Sequence, residues 1–276
     1  MDSAFYRDLT LELTGSDATA ELRAQAVSNP ACGGPWRPEL QHGGPPSALL
    51  VLAAERLAAA ASGRDDLLAA RLAAEFISPV PVAPLTVTAR VDRLSRAAVL
   101  IQAMLGPTDE PARSCLQSRI WLLAPGEQPP RSEPVPAEPP AGPDGLPDFG
   151  FDSFPYARHL DWRLAAGNGR ARGPAAAWVS ARVPLLAGRR YSPLQRTALF
   201  ADSASGISAE LDWNDWSFAN VDLDLHLFRA PVGEWLLVDA VTELGAGVAM
   251  TRSRLSDLTG PVGAGLQTLL VRRTSR

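Results

Sequence analysis

Nine prolines fall between Ala124 and Pro147, in APGEQPPRSEPVPAEPPAGPDGLP. Proline has no backbone N–H and a fixed φ, so such a segment cannot continue a helix or sit inside a sheet. It reads as a stiff, exposed linker. The chain is thereby divided into an N-terminal unit (1–124), a linker (125–148) and a C-terminal unit (149–276). Two units of similar size invite a search for internal repetition.

The search succeeds at an offset of 150 residues, without a gap. Pro81-Val82 falls on Pro231-Val232, Val91 on Val241, Leu94 on Leu244, Leu105 on Leu255, Pro111 on Pro261, and Leu116-Gln117 on Leu266-Gln267. The order of elements repeats as well. An Ala-rich helical pattern (Pro46 to Ser62, and roughly Leu194 to Leu211) precedes strand-like runs in each half. In the first half these are Ala70–Ile77, a long bent strand over Leu85–Leu105, and Cys115–Leu123. In the second they are NVDLDLHLF, EWLLVDAVTEL with GVAMTRSRL, and GLQTLLVRR, the first apolar at every second position as a half-buried strand requires. FYRDLTLEL and AAAWVSARVPL supply a short strand before each helix. An apolar helix followed by an antiparallel meander, made twice, gives an α+β chain of two sheets, each curled around its own helix. Paired edge to edge, they would form one continuous sheet and hide their edge strands.

Composition excludes several classes. A net charge of -4 argues against a general nucleic-acid binder. All 26 basic residues are arginine. Cys32 and Cys115 stand in unrelated contexts, as in a reducing cytosol. MDSAFYRDLT lacks a secretory pattern, and the most apolar stretch, Ser47 to Ala61, is broken by Glu55 and Arg56, so no membrane span is expected. The three histidines, His42, His159 and His226, form no metal-binding pair. FADSASG lacks the first glycine of a nucleophile elbow. No phosphate-binding loop or dinucleotide fingerprint is present. Trp213 and Trp216 suit a wall or rim, and Arg189-Arg190 either meets phosphates or is simply solvated.

Two stretches bear on chemistry. LQHGGPPSALL (40–50) opens the first helix with glycines where Ser, Thr, Asp or Asn is the ordinary cap. Gly43 and Gly44 either make a tight entry turn or leave N–H groups bare at the positive end of a helix. His42 either holds that loop or touches substrate. In TALFADSASGISAEL, Asp202 is one carboxylate among small and apolar residues, and its place in the first half is held by Leu52. A charge there is costly unless paired or used, although a cap or a path to solvent would also explain it. Gln267 is matched by Gln117, so a structural bond to the helix in both halves competes with a functional role. Asn220 reads equally as a turn residue before a strand.

The duplicated helix and meander, HGG, ALFADSASG and the closing VGAGLQTLLVR resemble the double hotdog acyl-CoA thioesterases of the thioesterase II type. The most specific stretch is VDLDLHLFRAPVGEWLLVDAVTELGAGVAMTRSRLSDLTGPVGAGLQ. The resemblance implies a double hotdog that hydrolyses acyl-CoA to free acid and coenzyme A, in the cytoplasm, with no metal or organic cofactor. It implies a water held by Asp202, Asn220 and Gln267, where Asn220 replaces the usual Thr or Ser. Single-unit hotdog thioesterases carry HGG and the acid on one helix; here the first helix has Val51 and Leu52 where the acid would come. Pairing of the halves about a pseudo-twofold would bring His42, Gly43 and Gly44 to Asp202. The N–H of Gly43 or Gly44 would then polarise the thioester carbonyl while Asp202 activates water. Association of protomers into a homo-oligomer is compatible with this. A non-catalytic acyl-binding protein and a hotdog dehydratase working through His42 are the competing expectations.

Overall fold

The computed structural model describes residues 4–127, 141–167 and 172–274. The first unit contains β1 (Tyr6–Thr14), β2 (Glu21–Ser28), α1 (Gly44–Ser62), β3 (Leu68–Phe76), β4 (Pro84–Leu94), β5 (Ala98–Pro107) and β6 (Leu116–Leu123). The second opens with α2 (Pro155–Arg158), β7 (Leu160–Ala166), β8 (Ala175–Ala181), α3 (Pro193–Ala201) and α4 (Ala204–Ile207). It closes with β9 (Trp216–Asn220), β10 (Asp222–Leu227), β11 (Leu236–Leu244), β12 (Val248–Asp257) and β13 (Gly260–Arg273). All pair antiparallel into one 13-stranded sheet, β1-β2-β4-β5-β6-β3-β10-β13-β12-β11-β8-β7, with β9 beside β13. The units join at β3 and β10, where Leu72 faces Leu225 and Arg71 lies 2.9 Å from Asp224. Joining there removes an exposed edge from each unit. This is the double hotdog.

Helix α1 is apolar around most of its circumference because it is enclosed by its own sheet and by α3. It ends where Gly63 takes φ 67°, the left-handed conformation that costs glycine little. Glu55 is the exception on this helix. It is half-buried, and its carboxylate accepts hydrogen bonds from Ser192 Oγ and Gln195 Nε2, both at 2.6 Å. Ser192 and Gln195 are themselves the capping box of α3, so Glu55 ties one helix to the start of the other. Desolvation pushes the Glu55 pKa above its ordinary value, against the lowering effect of those bonds. A carboxyl whose pKa is higher folded than unfolded favours folding at low pH and loses that contribution as pH rises. Glu55→Gln should therefore have a Tm about 2–4 °C above wild type at pH 7, the shift made by ~1 kcal/mol in a large domain. The gap should close below the unfolded pKa, and thermal melts at both pH values check it.

Several expectations need correction. The bent strand over Leu85–Leu105 is two strands, β4 and β5. The reversal is made by Ser95, whose N–H and hydroxyl both donate to Ala98 O, without a Gly, Pro or Asn to mark it. Three further strands, β2, β7 and the short β9, complete the sheet. The second helix does not run to Leu211; it stops at Ala201, with Asp202 as its C-cap, and restarts as the short α4. Of the linker, residues 128–140 lie outside the described residues. Its last part is not free of contacts: Pro143 is buried, Ala141 O accepts from Trp178 Nε1 (2.8 Å), and Pro147 O accepts from Leu164 N–H (2.9 Å).

The repeat offset also slips on the last strand. Ile101 faces Ile120 across β5 and β6, and Thr251 faces Gln267 across β12 and β13. The true counterpart of Gln267 is thus Ile120, not Gln117. Gln117 lies on the other face of its strand and bonds Ser114. A register change by an odd number of residues turns every side chain to the opposite face.

Candidate active site

Asp202 comes to the site because α3 ends there. It is only 4% exposed, yet it sits at the negative end of its own helix, an unfavourable place for a carboxylate. Three groups offset this. Asn220 Nδ2 donates to Oδ1 at 2.5 Å, His42 Nδ1 stands 3.0 Å from Oδ2, and the N-terminus of α1 abuts the carboxylate. Asn220 is the last residue of β9, at the break between β9 and β10. Asp222, just beyond the break, holds Thr268 N–H and hydroxyl with its two carboxylate oxygens. Gln267 lies beneath, 1% exposed, and its Nε2 donates to the Asp202 backbone carbonyl at 3.2 Å. Its Oε1 is buried with no acceptor role filled among the described residues. A buried amide oxygen of that kind calls for a donor, and a water is the smallest one.

The glycines of the first unit are explained by close approach. A Cβ on Gly43 would lie 2.7 Å from the Phe76 ring and 2.8 Å from Asp202 Oδ1. A Cβ on Gly44 would lie 2.2 Å from the Leu199 backbone oxygen, in α3. The following prolines, Pro45 and Pro46, carry no N–H, so the first turn offers few donors. Gly44 N–H is 3.2 Å from His42 Nδ1, the same nitrogen that faces Asp202. One ring nitrogen cannot both accept from Gly44 and donate to Asp202. An ionised Asp202 selects the tautomer with the proton on Nδ1. Of the two glycines, Gly43 lines the cavity beside Asp202, whereas Gly44 is packed against α3.

His42 is fixed from below by Tyr156 of α2, a residue that no sequence pattern marks. The two rings are parallel (5°), with centroids 3.8 Å apart. Tyr156 N–H donates to Gly33 O of the first unit, and its hydroxyl donates to Leu199 O at 2.5 Å and meets Ser203 Oγ at 3.1 Å. Burial pushes the Tyr156 hydroxyl pKa up, keeping it neutral. All six expected residues are thus brought to one place: His42, Gly43, Asp202 and Asn220 line a cavity of about 370 Å³, with Gly44 and Gln267 immediately behind. Much of the remaining wall is aromatic, including Phe76, Phe151, Phe154, Trp213 and Phe218. Trp216 stands on β9 and does not line it; Arg190 lines a different cavity, beside Glu55. Arg189-Arg190 is therefore not at this site.

A sheet of this topology with its catalytic candidates split across two helices defines a class, the double hotdog proteins. Family comparison narrows it. Residues 33–123 match the acyl-CoA thioesterase N-terminal domain, and residues 129–271 match the acyl-CoA thioesterase C-terminal domain. The chain belongs to the acyl-CoA thioesterase family. No curated protein matches it by sequence. Among solved structures it is similar to an acyl-CoA thioesterase II (TesB2) from Mycobacterium marinum, with TM-score 0.67, 18% identity, and coverage of 96% of this chain and 97% of that one. A hot dog fold protein of unknown function from Alicyclobacillus acidocaldarius gives TM-score 0.70 at 15% identity, covering 96% of each chain. A trans-AT PKS dehydratase domain from Brevibacillus brevis gives 0.54 at 14%, covering 95% and 96%. At such identities these likenesses establish the fold. No helix among the described residues is long and apolar enough to cross a membrane.

Proposed function

We propose that the chain hydrolyses acyl-CoA thioesters to the free acid and coenzyme A, with Asp202 as general base toward water. The observation that carries this reading is the buried Asp202 carboxylate at the wall of an apolar cavity, bonded by Asn220 and facing His42 and Gly43 of the other unit. Asp202 takes a proton from water as the water oxygen attacks the thioester carbon. Asn220 holds the carboxylate, and the unfilled Oε1 of Gln267 suits a donor from that water. The carbonyl oxygen gains negative charge opposite Gly43 N–H at the positive end of α1. Collapse of the tetrahedral intermediate breaks the C–S bond, and the proton held by Asp202 goes to the departing thiolate.

A panel of acyl-CoA thioesters assayed for free thiol tests this reading; no thiol from any of them would overturn it. In the same assay Asn220→Ala should lower kcat about tenfold, since it removes an orienting group rather than the base. An unchanged kcat would take Asn220 out of the mechanism. Pairing of His42 with the buried Asp202 carboxylate also favours a second reading, dehydration of a 3-hydroxyacyl thioester with His42 as base. Loss of water without release of thiol would decide for it.

A further inference from the structure

Resting on the thioesterase reading, we infer that Arg37 and Ser78 form the subsite for the carrier half of the thioester: Arg37 meets its phosphates and Ser78 the amide nearest the sulfur. Two observations meet at one side of the cavity. Arg37 lines it and is exposed, and it has no carboxylate partner among the described residues. Ser78 also lines it, and its Oγ is buried without a hydrogen-bond partner among the described residues.

The other lining polar groups are engaged. Gln41 bonds Tyr6 and Pro81, Ser203 meets Tyr156, and Ser205 donates to Asn220. A buried hydroxyl left unpaired is costly, so the Ser78 position favours a ligand with a polar group at that depth. The segments bearing Arg37 and Ser78 are tied together: Leu40 bridges Pro81, and Gln41 N–H donates to Val80 O. Arg113 reaches the same rim through Pro79 O but is held by Glu110. Trp36, the neighbour of Arg37, stacks on Trp213 (ring centroids 5.2 Å apart) and packs edge-on to Phe218, so an uncharged aromatic wall adjoins the Arg37 segment. With the thioester carbonyl at Asp202, a phosphate-bearing carrier would run past Ser78 to Arg37, the unpaired cation of the cavity wall among the described residues.

The test compares the best acyl-CoA of the panel with the N-acetylcysteamine thioester of the same acyl group, which keeps the amide and lacks the phosphates. Arg37→Glu should raise KM for acyl-CoA about tenfold, with kcat within about twofold. It should move kcat/KM for the short thioester less than about twofold. Ser78→Ala should raise KM for both thioesters by a similar factor, about three- to fivefold. If Arg37→Glu moves both thioesters alike, or neither, the phosphate subsite is elsewhere. If Ser78→Ala leaves both KM values unchanged, the amide contact is wrong. A wild type silent on both thioesters would sink the hydrolase reading and leave the subsite to a binding measurement. There, free coenzyme A should raise the Tm of wild type and of Asp202→Asn but not of Arg37→Glu, and equal shifts in all three would overturn the subsite.

Discussion

Asp202→Asn should lower acyl-CoA turnover by a factor on the order of 10²–10⁴, about 3–5 kcal/mol of barrier, with little change in stability. The amide has nearly the shape of the carboxylate. Its oxygen can still accept from Asn220 Nδ2, and its NH₂ can donate to His42 once that ring carries its proton on the other nitrogen. What disappears is the ability to take a proton from water. Calorimetry should place the Tm within about 3 °C of wild type, a difference of ~1 kcal/mol. Thiol release within twofold of wild type would remove Asp202 from the chemistry. A collapse in Tm would instead make it a structural bridge between the units.

Gly44→Ala should destabilise the protein by about 3 kcal/mol, lowering Tm by roughly 6–12 °C. Helix propensity alone argues the opposite, since alanine at a helix position is favoured over glycine by up to about 1 kcal/mol. Packing decides. The new Cβ would stand 2.2 Å from the Leu199 backbone oxygen, which also accepts from the Tyr156 hydroxyl, so it cannot yield without moving α3. Asp202 rides on the end of that helix, so turnover should fall well below the melting temperature too. A Tm equal to or above wild type in a thermal melt would mean that α1 and α3 are not in the contact described.

Much of this was legible in the sequence, for reasons that differ by element. Alternation in Val221–Leu227 and the Ala-rich helical runs follow from one-sided burial, and they located the meander and the helices. The repeat placed the units edge to edge, and the pairing of β3 with β10 is that arrangement. Asp202 stood out because the other helix holds Leu52 in its place. The failures are equally physical. Ser95 reverses the chain with a side-chain bond that imitates a turn residue, so β4 and β5 read as one strand. Gln117 matched Gln267 only at a fixed offset, and a different hairpin length put the two on opposite faces. Tyr156 and Glu55 act through contacts between residues far apart in the chain, which no local pattern records. Arg37 and Ser78 are ordinary loop residues until the cavity wall is known.

The most direct test of Asp202 as a base acting through water is a single turnover in heavy-oxygen water, with enzyme in excess over acyl-CoA. If water attacks the thioester directly, every acid molecule released in that turnover carries one oxygen from solvent, and the peptide containing Asp202 stays unlabelled by mass spectrometry. Label in the Asp202 carboxylate, or unlabelled acid from the first turnover, would show that Asp202 attacks the thioester itself and would contradict the general-base role.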